Sequence, residues 1–557
     1  MEKIWLKHYD EGVPHEIEIP ETTFYEMLVE NAEDYGEKPA LSFLGKEMSY
    51  FELREAVDRF SSALHQLGVE KGTRVAIMLP NIPQYLIVHY AILKLGAIAV
   101  PTNPLYVERE IKYQMNDSEA EILIVLDFLF KRIKNIWSET GLRAVIVTGI
   151  KEYLPGHLRI LYPLKARKDG THVKIKEEDN VLFFQRLMKQ DYPPVTPANI
   201  GPEDIAMFLY TGGTTGLSKA AVLTHKNIIS NVRQMRAWMT DCNDGNENVL
   251  SVLPFFHSYG LTTCMHFSLV TKSNAVLIPR FDAKTVLKAI QKNKCSMFPG
   301  VPTMYIAING YPEVAKYNLD SVKACISGAA PLPGEVQREF ERITGGRLVE
   351  GYGLSEASPA SHSNPINGLR KEGSIGIPFP QTSAKIVEPE THEELPVGRI
   401  GELAISGPQV MKEYWKRPDE TEQVLLDGWL YTGDMARMDE DGYFYIVDRK
   451  KDMIIAGGFN IYPRDIEEVL FEHPKIEEAV VAGVPDSYRG ETVKAYIVLK
   501  EGETATSEEI IDFCKEKLAK FKVPKFVEFR EELPKSQIGK VLRRVLVEEE
   551  KKKLAEM

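Results

Sequence analysis

The stretch Tyr210-Thr211-Gly212-Gly213-Thr214-Thr215-Gly216-Leu217-Ser218-Lys219 is the most informative part of the chain. Its glycines allow backbone N–H groups to converge on an anion, and its hydroxyls and the Lys219 ammonium add further donors. The spacing is not that of a P-loop, because Lys219 is followed by Ala220 and not by a hydroxyl residue. The stretch therefore predicts a mobile clamp for a leaving polyphosphate. A solvated hairpin is the structural alternative.

Composition predicts a globular chain of two to four domains, with 557 residues, 44% of them hydrophobic and 27% charged. A net charge of −12 argues against a general nucleic-acid surface. The first ten residues lack the apolar core of a signal peptide, and the apolar run Leu86–Val100 is too short to span a bilayer, so we interpret it as a buried helix. Five scattered cysteines without a CxxC pair indicate neither a zinc site nor disulfides. We expect a reducing, cytoplasmic setting.

Short apolar strands alternate with amphipathic helices along the chain, which predicts an α/β fold with parallel sheets. The predicted strands are 74–80, 121–125, 144–148 and 275–279, and the predicted helices are 85–96 and 285–293. From about Gly373 the pattern changes to short strands and turns, which indicates a small β-rich subdomain. We predict an amino-terminal domain over 1–447, a hinge over 448–452 and a carboxyl-terminal α+β domain over 453–557. The mixed basic and polar segment 155–179 has the character of a surface insertion.

The segment Glu350-Gly351-Tyr352-Gly353-Leu354-Ser355-Glu356 contains a Gly-x-Gly, but Glu356 stands where a dinucleotide fingerprint needs its third glycine. A carboxylate there would repel a pyrophosphate unless a metal ion lay between them. Glu356 is therefore a candidate Mg²⁺ ligand and Ser355 a candidate phosphate donor. A surface turn with a solvated glutamate is the alternative.

Three later segments carry further polar groups. Asp434 follows Thr432-Gly433 after an apolar strand, where a carboxylate can accept hydrogen bonds from ribose hydroxyls. Gly457-Gly458 would allow a ligand to lie close to the backbone, and Ser536–Gly539 would hold Lys540 at the tip of a loop. Each of these segments taken alone is also compatible with an ordinary turn or a solubilising lysine.

As an ordered set, these segments resemble the adenylate-forming superfamily of acyl-CoA synthetases, peptide-synthetase adenylation domains and firefly-type luciferases, from about Thr22 to Arg544. Within it, the chain is most similar to fatty-acyl-CoA or aryl-CoA ligases. The resemblance implies a large amino-terminal region of two βα-layered subdomains and a β-barrel-like subdomain, followed by a small mobile α+β domain. It implies a carboxylic acid, ATP and CoA as substrates, with Mg²⁺.

The resemblance also implies a role for individual residues. Thr211, Gly212, Gly213, Thr214, Thr215, Gly216 and Lys219 would hold phosphates, and Thr211 would join Glu356 at the metal. Gly328, Ala329, Ala330, Tyr352 and Gly353 would surround adenine, Ser355 would bind phosphate, and Asp434 and Arg449 would bind ribose. Lys451 would be the hinge, Gly457 and Gly458 would line the path of CoA, and Lys540 would be the catalytic lysine. His257, within Leu253–Gly260, would lie beside the reacting carboxylate.

Three functions remain open from the sequence. The first is a CoA ligase for fatty or aryl acids. The second is a relative that passes the same acyl adenylate to a carrier arm or to oxygen. The third is a non-catalytic binding protein, although Lys540, Glu356 and Asp434 together argue against it.

Around 298–304 small and flexible side chains leave room for an alkyl chain. Peripheral membrane contact and a homodimer are both compatible with the sequence.

Overall fold

The computed structural model describes residues 3–176, 178, 180–211, 218–450, 452–456, 459–486, 490–535 and 541–556. The α-helices are α1 (Phe24–Asp34), α2 (Tyr50–Gln66), α3 (Pro83–Lys94), α4 (Glu108–Ser118), α5 (Phe130–Ile136), α6 (Gly156–Lys168), α7 (Phe184–Leu187), α8 (His225–Trp238), α9 (Ser258–Gly260), α10 (Phe267–Val270), α11 (Ala283–Asn293), α12 (Pro302–Asn309), α13 (Gly334–Thr344), α14 (Pro418–Val424), α15 (Pro463–Phe471), α16 (Ser507–Lys517) and α17 (Arg543–Glu556).

The β-strands form the sheets of the two compact units described below. They are β1 (Pro39–Phe43), β2 (Lys46–Ser49), β3 (Arg74–Met78), β4 (Ile98–Pro101), β5 (Ile122–Leu126), β6 (Ala144–Thr148), β7 (Val181–Phe183), β8 (Ile205–Thr211), β9 (Lys219–Thr224), β10 (Asn248–Ser251), β11 (Asn274–Leu277), β12 (Ala324–Ser327), β13 (Arg347–Gly353), β14 (Ala360–Ser363), β15 (Ile377–Pro378), β16 (Ser383–Val387), β17 (Gly401–Ser406), β18 (Glu413–Tyr414), β19 (Leu425–Leu426), β20 (Trp429–Met438), β21 (Phe444–Arg449), β22 (Ile454–Ala456), β23 (Phe459–Ile461), β24 (Ile476–Asp486), β25 (Gly490–Leu499) and β26 (Phe526–Phe529).

Contacts divide the chain into two compact units, and the first consists of Trp5–Ser383 with Ser406–Gly428. Its largest sheet has the strand order β18-β9-β8-β4-β3-β5-β6-β7. The strands from β8 to β7 run parallel, whereas β9 and β18 add antiparallel pairings at one edge. The sequences of β3, β5 and β6 are nearly continuous apolar runs, as expected for a parallel sheet that is covered on both faces.

A second layered arrangement in this unit joins the sheet β10-β11-β1-β2 to the sheet β12-β13-β14-β15. Met297 makes the connection, since it forms parallel bridges with Val249 on one side and Ala324 on the other. The two βα-layered subdomains expected from the sequence are thereby confirmed. Amphipathic helices such as α11 bury Val286, Leu287 and Ile290 against these strands.

The second unit consists mainly of Ala384–Ile405 and Trp429–Met557. Its first part is an antiparallel β-sheet in which β17 lies between β16 and β20, and β21 pairs with β20. Its last part packs α15 and α16 on a sheet of β23-β22-β25-β24, with β26 beside β25. Thr506 caps the start of α16, because its Oγ1 accepts a 3.2 Å hydrogen bond from the Glu509 N–H. The hinge predicted at 448–452 stays a prediction.

The apolar run Leu86–Val100, which we expected to be one buried helix, forms two elements. Helix α3 is buried along its whole length but ends at Lys94, and β4 begins at Ile98. Gly96 has φ of +64°, a left-handed conformation that ends the helix and turns the chain into the sheet. Hydrophobicity alone could not separate the two elements, since both are fully buried.

Among the described residues, no helix has both the length and the apolar character needed to cross a bilayer. The segment predicted to be a surface insertion contains α6 (Gly156–Lys168), a helix with Pro163 inside it.

Candidate active site

The phosphate-binding stretch lies between two antiparallel strands of the large sheet. Thr211 at the end of β8 pairs with Lys219 at the start of β9, and the Thr211 hydroxyl donates a 3.5 Å hydrogen bond to the Lys219 carbonyl. Tyr210 donates a 2.7 Å hydrogen bond to the carboxylate of Asp117, which fixes the end of β8. The residues between, Gly212, Gly213, Thr214, Thr215 and Gly216, lie outside the described residues. Thr211 and Lys219, on either side of this loop, are therefore both held in the sheet.

Lys219 contacts two residues that sequence reasoning did not single out. Its ammonium forms an ion pair with the carboxylate of Glu420 and lies 5.2 Å from the centre of the Tyr414 ring. Strand β18 brings Tyr414 there by pairing Tyr414 with Ala221 on β9. No local pattern could reveal these contacts, because they join positions about two hundred residues apart.

Glu356 lies in the short turn Ser355–Ala357 that follows β13, and this turn lies next to β8 and β9. Tyr414 donates a 2.7 Å hydrogen bond from its hydroxyl to Oε1 of Glu356. Burial, and then the neighbouring Glu356 carboxylate, raise the pKa of Tyr414, so this phenol stays protonated and acts as a donor. Tyr414 therefore connects the phosphate-loop lysine with the predicted metal ligand.

The oxygens of Glu356 suit Mg²⁺, which prefers hard oxygen ligands and takes one or two protein carboxylates together with phosphate oxygens. The described residues contain no group of three or more His, Cys, Asp or Glu side chains arranged to hold a metal ion. A single carboxylate at Glu356 is compatible with Mg²⁺ that is shared with phosphate oxygens and water. The Thr211 hydroxyl bonds to the Lys219 carbonyl, and its role as a second metal ligand stays a prediction.

The glycines of the Gly-x-Gly segment allow close pairing of β13 with β14. Gly353 pairs with Ala360 on β14, and a Cβ at Gly353 would lie only 1.8 Å from the Pro359 carbonyl oxygen. The segment therefore belongs to a strand paired with β14 and is not the strand-to-helix turn of a dinucleotide site. Tyr352 is half-buried and packs edge-on against His362, with ring centres 6.0 Å apart.

The predicted adenine segment begins directly after β12. Ala329 has φ of +69°, and Ala329 and Ala330 are exposed. Gly328 leaves room for the Tyr259 ring, since a Cβ would lie 3.1 Å from it. Tyr259 donates hydrogen bonds to the carbonyls of Ile326 (2.7 Å) and Gly300 (3.2 Å), so it holds the ends of two neighbouring segments together.

His257 is half-buried and precedes α9. Its Nδ1 accepts a 3.2 Å hydrogen bond from the Tyr259 N–H, so a neutral imidazole carries its proton on Nε2. The next residue, Ser258, has its hydroxyl 3.0 Å from the hydroxyl of Ser355. This contact brings the histidine segment next to the Ser355–Glu356 turn.

The ribose-binding candidates lie in the second unit. Asp434 on β20 is buried and stands opposite Arg449 on β21 in the backbone register. Glu402 holds the adjacent backbone, because its carboxylate accepts hydrogen bonds from the Gly433 N–H (2.9 Å) and from the Lys450 ammonium (3.3 Å). The strand pairing therefore places Asp434 and Arg449 on neighbouring strands.

Lys451, Gly457, Gly458 and Lys540 lie outside the described residues. The flanking segments are held: Ala456 pairs with Phe459 across the two glycines, and Lys535 forms a bridge with Val541 across the Lys540 segment. The roles of these four residues stay predictions.

Arg543 forms ion pairs, which the sequence did not reveal, with two acidic residues of the predicted hinge and with Glu467. The guanidinium of Arg543 contacts the carboxylates of Asp448 (3.4 Å), Asp452 (2.9 Å) and Glu467 (2.7 Å). Burial opposes the charge of Arg543, but the three carboxylates outweigh it and raise the pKa of Arg543. Asp448 and Asp452, on either side of Lys451 in the sequence, are thus both held by ion pairs with Arg543.

His225 and His266 form a buried group with His89. The His266 ring stacks on Phe24 at 4.0 Å and lies 5.0 Å from the His89 ring. Among the described residues, the ring nitrogens of all three histidines lack a hydrogen-bond partner. Burial lowers the pKa of His89 to about 3 and that of His225 to about 4, and it lowers the pKa of His266 well below its usual value.

This group predicts a loss of stability in mild acid. Below about pH 6.5 the unfolded chain binds protons at these histidines and the folded chain does not, so the free energy of unfolding falls as pH falls. The nearby Asp204 and Glu26 favour the charged form of His225, and Lys71 opposes it, without reversing the sign. His266→Phe should reduce the slope between pH 6.5 and 5 by about 1.4 kcal/mol per pH unit.

Denaturant unfolding at several pH values measures that slope. His65→Phe, on an exposed histidine of α2, is the matched control and should leave it unchanged. An equal slope in wild type and His266→Phe would show that His266 is not kept neutral in the fold.

Known proteins resemble this chain in sequence and in fold. The family model described as AMP-binding enzyme matches residues 28–415, and the model described as AMP-binding enzyme C-terminal domain matches residues 465–540. A long-chain-fatty-acid–CoA ligase of Bacillus subtilis is 49% identical, with 99% of this chain and 98% of the relative covered.

Two solved structures show the same fold. ATP-bound MatB from Rhodopseudomonas palustris has a TM-score of 0.82 and 30% identity, over 95% of this chain and 99% of that one. An anthranilate CoA ligase in complex with anthranoyl-AMP has a TM-score of 0.84 and 26% identity, over 97% and 99%. The chain therefore belongs to the AMP-binding enzyme family, the adenylate-forming superfamily that its ordered motifs predicted.

Proposed function

We infer that this enzyme is an ATP-dependent acyl-CoA synthetase whose preferred substrate is a long-chain fatty acid. It converts the acid and ATP to acyl-AMP and pyrophosphate, and then transfers the acyl group to CoA with release of AMP. One structural observation carries the chemistry: Tyr414 links Lys219 at the phosphate loop with the carboxylate of Glu356. The preference for long-chain acids rests on the full-length similarity to the Bacillus subtilis ligase.

Two steps are needed because a carboxylate is a poor electrophile. Its charge repels nucleophiles, and oxide cannot leave, so the acid is first joined to AMP. That step brings the carboxylate oxygen against the α-phosphate, and two such charges repel by about 4 kcal/mol at 4 Å in an effective dielectric near 20. We assign Lys540 to this position, where its positive charge offsets the repulsion and stabilises the charge that develops as the new P–O bond forms.

The departing pyrophosphate carries a large negative charge. Lys219 and the N–H and hydroxyl groups of the loop 211–219 would hold it, and Ser355 would donate to a phosphate oxygen. Glu356 would hold Mg²⁺, which neutralises phosphate charge when bound. The ion pair of Lys219 with Glu420 keeps the ammonium at the base of the loop before the nucleotide arrives.

The remaining residues would position the nucleotide and the acid. We propose that Tyr352 stacks on adenine beside Gly328, Ala329 and Ala330, and that Asp434 and Arg449 bind the ribose. His257 would donate from Nε2 near the acid carboxylate, since its Nδ1 is already an acceptor. For the second step we propose that Lys451 is the pivot that withdraws Lys540 and brings Gly457 and Gly458 towards CoA.

A panel of saturated acids from two to eighteen carbons, with aryl acids, tests the function. Acid-dependent ATP/pyrophosphate exchange reports adenylation, and thioester formation with free CoA reports transfer. We expect both, with the highest kcat/KM for long-chain acids. Best turnover of aryl acids would reassign the substrate. Exchange without thioester would favour delivery to a carrier arm or to oxygen, and neither activity would favour a binding protein.

The contact between Tyr414 and Glu356 gives a further prediction. Tyr414→Phe removes one hydrogen bond to a charged acceptor and keeps the ring beside Lys219, so we expect about a tenfold lower kcat/KM for MgATP in the exchange reaction. Steady-state exchange rates measure this change. Tyr192→Phe also removes a phenol hydrogen bond, to Gln190, outside the site, and should be neutral. Equal rates in both variants would mean that Tyr414 does not orient Glu356.

A further inference from the structure

Asp448, the penultimate residue of β21, is a buried carboxylate that holds the first turns of two helices from beyond Lys451. Its Oδ2 accepts a 2.9 Å hydrogen bond from the backbone N–H of Arg464 in α15, and its Oδ1 lies 3.4 Å from the guanidinium of Arg543 at the start of α17. The Arg464 guanidinium also donates a 2.5 Å hydrogen bond to the Ile446 carbonyl of β21. The end of β21 is therefore bound to both helices.

The ion pairs of Arg543 are of two kinds with respect to the proposed pivot Lys451. Asp452 and Glu467, at 2.9 and 2.7 Å from the guanidinium, follow the pivot in the sequence, as Arg543 does. They keep their relative positions in a rotation about Lys451. Asp448 precedes the pivot, so its pair with Arg543 breaks in such a rotation. The Asp448–Arg543 pair therefore holds one orientation of the residues that follow Lys451.

Arg543 also lies close in sequence to Lys540, and the residues on either side of the segment 536–540 are held together. The Leu542 N–H donates a 2.7 Å hydrogen bond to the Pro534 carbonyl, and Lys535 forms a bridge with Val541. The segment that carries Lys540 thus begins and ends at the base of α17.

The tie from Lys540 to Asp448 is short. Lys540 is three residues before Arg543, which limits the distance between their Cα atoms to about 11 Å. Asp448 in turn immediately precedes Arg449, to which we assign ribose binding. The ion pair therefore links the Lys540 segment to the strand at which the nucleotide binds in this assignment.

We propose that Asp448 and Arg543 are positioning residues for Lys540, and that their ion pair favours the orientation in which Lys540 takes part in adenylation. The inference rests on the proposed function, because that function supplies the role of Lys540. The side chains of Asp448 and Arg543 are only 4% and 17% exposed, so solvent screens their attraction weakly. Rotation towards CoA transfer separates the pair and withdraws Lys540 from the nucleotide.

Asp448→Asn in the full chain tests the proposal. Asparagine keeps an oxygen that can accept from the Arg464 N–H, but it removes the charge that pairs with Arg543. We expect the kcat of acid-dependent ATP/pyrophosphate exchange to fall about tenfold, with an unchanged KM for ATP. Thioester formation from supplied acyl-AMP and CoA should keep the wild-type rate, which also establishes that the variant is folded.

Glu549→Gln is the matched control, because it makes the same change of charge in an ion pair of α17 that does not span Lys451. Glu549 lies 2.6 Å from the guanidinium of Arg530, and both residues follow the pivot. Both half-reactions should proceed at the wild-type rate in this variant.

Combination with Lys540→Ala separates positioning of Lys540 from a general structural effect. Because Asp448 acts through Lys540, Asp448→Asn should not lower exchange further in the Lys540→Ala variant, whereas independent effects multiply. Multiplied losses, an undiminished exchange in Asp448→Asn or in Lys540→Ala, or an equal loss of both half-reactions would overturn the proposal. So would a raised KM for ATP with unchanged kcat, which would mean that Asp448 acts through Arg449. Absence of exchange in the wild-type enzyme would refute the proposed function, whereas these results in an active wild type refute the positioning role alone.

Discussion

Lys540→Ala is expected to lower the rate of acid-dependent ATP/pyrophosphate exchange about a hundredfold, while thioester formation from supplied acyl-AMP and CoA is retained. Loss of one charge-assisted contact to the developing charge costs about 3 kcal/mol in the transition state of adenylation. The second step no longer brings a free carboxylate against the α-phosphate, because the bond between the acyl group and the phosphate is already formed. Separate assays of the two half-reactions measure the difference.

Lys535→Ala provides the matched control for this change. Lys535 is exposed, lies five residues from Lys540 and forms an ion pair with Glu478. Because such surface pairs contribute little, both half-reactions should proceed at nearly the wild-type rate. An equal loss of both half-reactions in Lys540→Ala would refute the assignment of Lys540 to adenylation alone.

Glu356→Gln is expected to reduce exchange by about two to three orders of magnitude and to raise the Mg²⁺ concentration needed for half-maximal rate. Glutamine keeps an oxygen that can accept the hydrogen bond from Tyr414, so the change removes charge with little change in shape. A neutral amide is a much weaker ligand for a hard cation than a carboxylate. Exchange rates over a range of Mg²⁺ concentrations, at fixed ATP, measure the effect.

Glu413→Gln is the corresponding control. Glu413 precedes Tyr414 on β18, and successive strand residues point to opposite faces, so its carboxylate faces away from Glu356. We expect an unchanged Mg²⁺ dependence in this variant. Unchanged Mg²⁺ dependence in Glu356→Gln as well would remove Glu356 from the metal site and leave Tyr414 without its proposed role.

The elements of the fold were predictable where one periodicity extends over a whole segment. Strand β6 spans the predicted residues 144–148, and α11 includes the predicted 285–293. The interpretation of the whole run Leu86–Val100 as one helix was wrong, because β4 begins at Ile98, whereas the predicted helix 85–96 corresponds to α3. The boundary between helix and strand is set by Gly96, whose positive φ ends the helix.

The site was predictable where a motif carries its own chemistry, as with Glu356 and Ser355, which the structure brings beside Ser258 and the base of the phosphate loop. It was not predictable where the function of a residue depends on a distant partner. Tyr414 and Glu420 acquire their contacts only because β18 pairs with β9. Arg543 likewise reaches Asp448 and Asp452 only in the folded second unit.

The products formed from ATP test the central claim most directly. Purified enzyme with Mg²⁺, CoA and a sixteen-carbon acid should release AMP and pyrophosphate in equal amounts, each matching the acyl-CoA formed, as measured by chromatography of the nucleotides and thioester. Formation of acyl-CoA with ADP and inorganic phosphate would contradict the acyl-adenylate route.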